Sequence, residues 1–194
     1  MELVFATHNQ NKFEEVLLLM PEHIKLLSLD MIECFDEIEE TGATLEENAQ
    51  LKADFVTKNY GYDCFSDDTG LLVDALNGAP GVHTARYAGG KKDADANMDK
   101  LLAVLNDNEN RNAHFKTAIA LNINSEKHQF NGIVEGTIAS KKSGVKGFGY
   151  DPIFIPEGYD KTFAELPLFI KNKISHRGRA IQKLMAFLIE HQLF

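Results

Sequence analysis

The chain opens on the stretch Leu3-Val4-Phe5-Ala6-Thr7-His8-Asn9-Gln10-Asn11-Lys12, in which a short apolar run is followed at once by polar residues. Four consecutive apolar residues are typical of a buried strand. Residues at helical spacing then run from Lys12 to Met20, which predicts a helix. A strand, a polar loop and a helix in this order indicate an α/β protein.

The rest of the chain alternates in the same way. Thr44 with Glu47 forms a capping-box signal for a helix ending near Asn59, and another helix is predicted from Asp95 to Leu105. Predicted strands are 63–66, 115–123, 129–138 and 152–155; the middle two form an antiparallel hairpin around 124–127. A loop is expected after 155, and Ser175 is expected to cap a last helix from 176 to about 191. The pattern predicts a mixed α/β fold.

Composition limits the classes of partner. The 194 residues are 44% hydrophobic, which suffices for one core, so a single domain over 1–194 is expected. The net charge of -9 disfavours nucleic acid and anionic membranes. No apolar run approaches the ~20 residues that span a bilayer and no leader segment is evident, so a cytoplasmic protein without membrane contact is expected. Cys34 and Cys64 are expected to be buried free thiols.

Two polar clusters next to predicted strands are candidates for phosphate and metal chemistry. The loop from Thr7 to Lys12 precedes a helix, whose N-terminal N–H groups favour phosphate; the alternative is a capped loop with a solvated lysine. The pair Asp67-Asp68 ends a predicted strand, where carboxylates need a cation or hydrogen bonds. Strand alternation would send one of them to the site and leave the other to brace the loop. An Asx turn before Thr69-Gly70 is the alternative.

Three further segments carry charge or flexibility. An acidic stretch (Glu37, Glu39 and Glu40) is ordinarily a solvated loop but could give Asp68 a second carboxylate for magnesium. The loop from Gly144 to Asp151 could lay an aromatic ring against a base, or it could be a tight turn. Cations gather at the start of the last helix, where the dipole disfavours them, which suggests an anionic partner; they are Lys171, His176, Arg177 and Arg179.

These segments together resemble the inosine triphosphate pyrophosphatase family, also described as dITP/XTP or non-canonical purine NTP pyrophosphatases. The resemblance spans nearly the whole chain and lies in five ordered motifs: Ala6 to Lys12, Glu40 to Ala53, Ser66 to Tyr87, Gly147 to Pro152 and Ile174 to Gly178. It implies an elongated two-lobed α/β fold with a central mixed sheet flanked by helices, a nucleotide cleft between the lobes, and a homodimer.

The resemblance also implies residue roles. Asp68 is the expected general base and, with Glu39, holds magnesium, with manganese as the alternative metal. The phosphates of a purine nucleoside triphosphate are expected to contact Thr7, His8, Asn9, Gln10, Asn11, Lys12, Lys52 and Lys171. Phe148 is expected to stack on the base, Asp151 to orient it, and His176 with Arg177 to contact its 6-oxo edge. Thr69, Arg86, Gly149 and Tyr150 complete the implied substrate site.

Some positions depart from the family pattern, and other functions compete. His8 stands where glycine is frequent, Thr69 replaces the commoner serine, and Pro167 to Ile170 is apolar where charged residues are usual, which suggests contact with a partner subunit. The Maf-like nucleotide pyrophosphatases share the general fold and reaction but differ at Thr7 to Lys12. A nucleotide-binding regulator without turnover is the alternative from another class, and a substitution at Asp68 would have been its sign.

Overall fold

The computed structural model describes residues 1–193, and within this range the chain forms seven strands and five helices. The strands are β1 Glu2–Phe5, β2 Lys25–Leu27, β3 Cys64–Val73, β4 Pro80–Gly81, β5 Asn112–Ile123, β6 Glu126–Ile138 and β7 Phe154–Pro156. The helices are α1 Gln10–Leu17, α2 Leu45–Tyr60, α3 Ala94–Val104, α4 Leu168–Ile174 and α5 His176–Glu190.

The strands form one mixed sheet in the order β2-β1-β3-β5-β6-β7, and β4 pairs with β3. The first strand, β1, is parallel to both of its neighbours. Its residue Val4 is in register with Leu27 of β2 and with Cys64 of β3. The pairs β3–β4 and β6–β7 are antiparallel. This arrangement confirms the predicted α/β class with a central mixed sheet.

Local signals in the sequence located several elements correctly. The capping box at α2 is complete, because Thr44 accepts a hydrogen bond from Glu47 N–H while the Glu47 side chain accepts from the Thr44 backbone. The hairpin between β5 and β6 turns at Asn124 and Ser125, whose φ angles of 50° and 66° suit a two-residue turn. Both predictions are confirmed, although β5 and β6 each begin three residues earlier than predicted.

Two segments have a different secondary structure from the one predicted. The strand expected to stop before Asp67-Asp68 continues through both residues to Val73, so neither an end of strand nor an Asx turn is present there. The segment expected to be a loop before Ser175 contains α4. In the first case buried cations stabilise a carboxylate inside a strand. In the second, α4 starts at Leu168 and its N-cap, Pro167, makes no side-chain cap hydrogen bond, so no capping signal marks the helix.

Chain contacts divide the molecule into two compact units. The first comprises 1–68, 117–132 and 176–193. Its main core joins β1, β3, β5 and α5, and the rings of Phe5 and Phe65 stack with centroids 4.6 Å apart. Cys34 and Cys64 are buried free thiols in a second cluster of this unit, as predicted. Burial of this apolar surface stabilises the strand ends from which the polar loops leave.

The second unit comprises 69–116 and 133–175. Its core packs α3 against β5, β6 and β7 and includes Leu101, Phe115, Phe154 and Phe163. Arg111 fixes the start of β5 by donating hydrogen bonds to the backbone oxygens of Leu105, Ile138 and Ala139. None of the helices within 1–193 has the length and apolar character required to cross a membrane.

Candidate active site

The predicted phosphate loop links β1 to α1. Asn9 is the N-cap of α1, and its Oδ1 accepts a hydrogen bond of 3.2 Å from Lys12 N–H. Thr7 Oγ1 in turn accepts from Asn9 N–H at 3.1 Å. Exposed polar residues from His8 to Asn11 therefore sit at a helix N-terminus, where backbone N–H groups and the helix dipole favour an anion.

Histidine in place of glycine does not disturb this loop. His8 is absent from the residues with a positive φ angle, so the backbone here adopts a conformation open to any side chain. His8 Nε2 lies 2.9 Å from the backbone oxygen of Asp36, a contact that glycine would lack.

A buried ion-pair cluster surrounds Asp67 in the first unit. Lys12 Nζ lies 2.8 Å from Asp67 Oδ1, and Arg177 Nε lies 3.1 Å from Asp67 Oδ2. Arg177 Nη1 also lies 2.5 Å from Glu15 Oε2. Asp67 and Arg177 are almost fully buried, so each charge depends on its partners. The carboxylate of Asp67 thus holds cations from both α1 and α5.

The neighbouring carboxylate, Asp68, lies in a different setting. It is half-buried and accepts a hydrogen bond of 3.1 Å from Asn48 Nδ2 of α2. Lys52, one turn along α2, donates from Nζ to the backbone oxygen of Asp67 at 2.7 Å and to Glu40 Oε1 at 2.6 Å. Asn48 and Lys52, on one face of α2, therefore both bind β3, and Lys52 also binds Glu40 of the acidic stretch.

The two aspartates have opposite pKa shifts. Burial alone would raise the pKa of Asp67, but Lys12, Arg177 and Lys52 hold it well below its ordinary value. Burial raises the pKa of Asp68, and the charge of Glu40 acts in the same direction against Lys52 and Lys12. Asp67 is therefore ionised at neutral pH, whereas Asp68 has the greater affinity for a proton, which suits a general base.

The donor set suits a magnesium ion bound together with a polyphosphate. Asp68 and Glu40 offer hard carboxylate oxygens and are close enough for Glu40 to affect the pKa of Asp68. Within 1–193 no cluster of three or more histidine, cysteine, aspartate or glutamate residues could hold a metal alone. Magnesium commonly takes only one or two protein carboxylates and completes its shell with phosphate oxygens and water. The residues present fit that mode of binding.

The second unit contains another buried ion pair. Lys171 Nζ lies 2.6 Å from Asp151 Oδ2, and both side chains are almost fully buried. Phe148 N–H donates to the same oxygen at 2.9 Å, and Lys171 Nζ lies 4.9 Å from the centroid of the Phe148 ring. Asp151 therefore holds the glycine-rich loop and Lys171 together, and the ring of Phe148 gains a cation–π contact.

Two glycines of this loop provide a direct test of its packing. Gly147 and Gly149 both have positive φ angles, 72° and 63°, but a Cβ on Gly147 would lie 1.9 Å from Asp151 Oδ2, whereas a Cβ on Gly149 would meet nothing within 4 Å. We expect Gly147→Ala to lower the free energy of unfolding by about 3 kcal/mol and Gly149→Ala by about 1 kcal/mol. Urea unfolding of both variants measures the difference, and equal losses would show that only the backbone angle matters.

The other predicted substrate residues lie in several places. Tyr150 is buried and donates from its hydroxyl to the backbone oxygen of Thr84 at 2.9 Å, so it braces the second unit. Arg86 is exposed in a 3-10 turn, and Thr69 is half-buried in β3.

His176 is buried at the start of α5, where a Cβ on Gly132 would lie 2.0 Å from the backbone oxygen of His176. Glycine at 132 therefore permits the close approach of α5 to β6.

The cation group predicted around the last helix divides between the two units. Lys171 belongs to the second unit, and His176 and Arg177 to the first. Asp67 and Glu15 balance the charge of Arg177, so this charge does not require an external anion. Sequence reasoning did not identify Glu15 as a member of this cluster. It could have been recognised as a charged residue three positions after Lys12 that lies between the buried Phe13 and Val16 of α1.

Glu40 is the residue of the acidic stretch that belongs to the cluster around Asp67 and Asp68. Glu39, the residue predicted to bind metal, is exposed and precedes it directly. The assignment of Glu39 stays a prediction.

The family profile described as the Ham1 family matches residues 3–187, which is almost the entire chain. The chain belongs to the Ham1 family. A relative from Flavobacterium johnsoniae, named dITP/XTP pyrophosphatase, is 59% identical over 188 residues, covering 97% of this chain and 98% of the relative. The resemblance seen in the sequence motifs is thereby confirmed.

Solved Ham1 structures agree with the fold. The Ham1 protein of Staphylococcus aureus is 41% identical and superposes with a TM-score of 0.90, covering 98% of this chain and 100% of that one. A protein from Mycobacterium abscessus, described as nucleoside-triphosphatase / dITP/XTP pyrophosphatase, is 42% identical with a TM-score of 0.77, covering 95% and 98%. The Ham1 fold therefore extends over both compact units.

Proposed function

We propose that this chain hydrolyses non-canonical purine nucleoside triphosphates, namely ITP, dITP and XTP, to the nucleoside monophosphate and pyrophosphate. The main support is the identity of 59% over nearly the full length with a relative named dITP/XTP pyrophosphatase. The residues that bear the chemistry, Asp68, Lys12 and Lys52, lie in one cluster of the first unit. Such an activity would remove deaminated purines from the nucleotide pool.

In the proposed reaction Asp68 accepts a proton from a water molecule that attacks the α-phosphorus. The bond between the new oxygen and the α-phosphorus forms as the bond to the bridging oxygen breaks, and pyrophosphate leaves with its electron pair. Lys12 and Lys52 neutralise charge on the phosphates, and the N-terminus of α1 donates N–H groups to them. The raised pKa of Asp68 supports its role as the proton acceptor.

Magnesium is the proposed cofactor, and manganese is the alternative metal. Asp68 would hold the ion together with an acidic residue of the stretch 37–40. The family motif implies Glu39 for this role, whereas Glu40 is the residue whose charge raises the pKa of Asp68. When bound, the ion would polarise phosphate oxygens and offset the charge of the leaving pyrophosphate.

Selection of the base is proposed to involve the residues that the family motifs imply. Phe148 would stack on the purine, Asp151 would orient it, and His176 with Arg177 would address the 6-oxo group. Donors placed for a 6-oxo acceptor would face the amino group of ATP and lose their hydrogen bonds, which costs about 1–3 kcal/mol for each buried donor. The fixed position of Arg177 between Asp67 and Glu15 supports such selectivity, because a rigid donor cannot turn away.

A homodimer in the cytoplasm is proposed as the working form. Leu168 and Phe169, at the start of α4, are exposed by 45% and 72%, and such apolar side chains are candidates for subunit contact. Light scattering after size-exclusion chromatography measures the mass of the assembly, and a monomer at micromolar concentration would contradict the proposed dimer.

The decisive assay measures pyrophosphate and phosphate released from ITP, dITP, XTP, ATP, GTP and dTTP, with magnesium and with EDTA. We expect pyrophosphate from the first three substrates, little from the others, and loss of turnover in EDTA that added magnesium or manganese restores. Preference for dTTP would favour the Maf-like alternative. Binding of ITP without any turnover would instead favour a nucleotide-binding regulator.

A further inference from the structure

Two parallel side-chain bridges join the Glu40–Gly42 segment to β3. Lys52 links Glu40 Oε1 to the backbone oxygen of Asp67, and Asn48, one helical turn earlier, links Gly42 N–H to Asp68 Oδ2. Both bridges start from the same face of α2 and connect the same two segments. Lys52 has an expected role at the phosphates, but Asn48 has none in the reaction described above.

The orientation of the Asn48 amide is determined by its surroundings. Gly42 N–H can only donate, so the oxygen of the amide must face it, and the 2.7 Å contact joins Gly42 N to Asn48 Oδ1. The amide nitrogen then faces Asp68 Oδ2 at 3.1 Å, where the carboxylate must act as the acceptor. Since Asn48 is only 3% exposed, water does not readily replace either hydrogen bond.

The backbone of the Glu40–Gly42 segment approaches α2 closely at Gly42. A Cβ on Gly42 would lie 2.8 Å from Asn48 Oδ1 and 2.6 Å from Glu47 Cβ. A residue with a side chain at position 42 would therefore push the segment away from α2 and break its bond to Asn48. Gly42 and Asn48 act as one fitted contact.

We propose that Asn48 is a positioning residue that holds the Asp68 carboxylate and the Glu40–Gly42 segment in a fixed relation, so that a divalent cation can be shared between their carboxylates. The amide contacts neither the reacting atoms nor the cation; it sets the position of groups that do. This inference rests on the proposed role of Asp68. Partners that orient a metal-binding carboxylate commonly contribute 10- to 100-fold to metal affinity or activity, on the order found in other enzymes.

The test compares Asn48→Ala and Asn48→Asp with Glu47→Ala as a matched control. Glu47 lies beside Asn48 and holds the backbone directly after Gly42, since Glu47 Oε2 accepts from Ala43 N–H and Thr44 N–H. The Asp variant is nearly isosteric: in its ionised form it can still accept from Gly42 but cannot donate to Asp68, and its charge repels the Asp68 carboxylate. It serves as the second variant if removal of the whole amide prevents folding.

We expect kcat for ITP to fall about 10- to 100-fold in both Asn48 variants, with KM changed by less than about threefold, because positioning acts on the transition state. In Asn48→Ala the dissociation constant for Mn²⁺, measured by electron paramagnetic resonance without nucleotide, should rise about tenfold. Glu47→Ala should retain kcat and Mn²⁺ affinity within about threefold even if its thermal midpoint falls.

Other outcomes would overturn the inference. Equal losses of kcat and Mn²⁺ affinity in Glu47→Ala would mean that Asn48 only anchors the Glu40–Gly42 segment. A kcat near that of the unmodified protein in Asn48→Asp would mean that donation to Asp68 is unnecessary. Asp68→Asn is assayed in parallel to separate the two proposals. If Asp68→Asn is inactive while the Asn48 variants are fully active, only the positioning role of Asn48 is contradicted. If Asp68→Asn is fully active, the proposed role of Asp68 as the base is contradicted.

Discussion

Asp68→Asn is expected to lower kcat for ITP by at least about 1000-fold, since a missing general base alone typically costs 10²- to 10⁴-fold and a weakened metal ligand adds to the loss. The fold should survive. Burial raises the pKa of Asp68, so its charged form is disfavoured in the folded protein and removal of the charge costs no stability. The replacing amide keeps a carbonyl oxygen that can accept the hydrogen bond from Asn48.

Two measurements on the same preparation check this result. Single-turnover pyrophosphate release gives the chemical step, and urea unfolding gives the free energy of unfolding. A folded variant with near-normal turnover would remove Asp68 from its proposed role. A variant that is inactive because it is unfolded would instead show that the charge of Asp68 supports the fold.

Asp67→Asn, one residue earlier, should behave in the opposite way and lower the free energy of unfolding by about 3–5 kcal/mol, the usual cost of breaking a buried ion pair. The reason is that Lys12 and Arg177 would lose the carboxylate that both of them contact. A matched surface control is Glu2→Gln, which removes an ion pair with Lys25 whose side chains are 53% and 68% exposed. We expect no measurable change in that variant.

The effect of Asp67 should depend on pH with a definite sign. Its pKa is depressed in the folded protein, so its contribution is present above the pKa of the unfolded chain and is lost as the pH falls toward the folded value. The difference in unfolding free energy between the unmodified protein and Asp67→Asn should therefore be constant near neutral pH and shrink only in acid. A difference that disappears at neutral pH would contradict the assigned ion pairs.

The sequence-based predictions agree with the structure where a few neighbouring residues determine the local conformation. The capping box of α2 needs only Thr44 and Glu47, and the hairpin turn needs only Asn124 and Ser125 with their flanking strands. The motif around Asp68 was found for the same reason, as adjacent carboxylates beside an apolar run stand out locally. The strand through Asp67 was missed because its carboxylate is stabilised by cations from distant helices.

The sequence by itself determined the α/β class, the capping box of α2, the hairpin and membership of the Ham1 family, because these depend on local periodicity or on ordered motifs. Only the tertiary structure decided which charges are paired. Arg177 meets Glu15 across 162 positions of the chain and Asp67 across 110. Burial makes each charge depend on a partner brought near by folding, and no local pattern specifies that partner. The difference between Asp67 as a structural anion and Asp68 as the proposed base follows from that pairing.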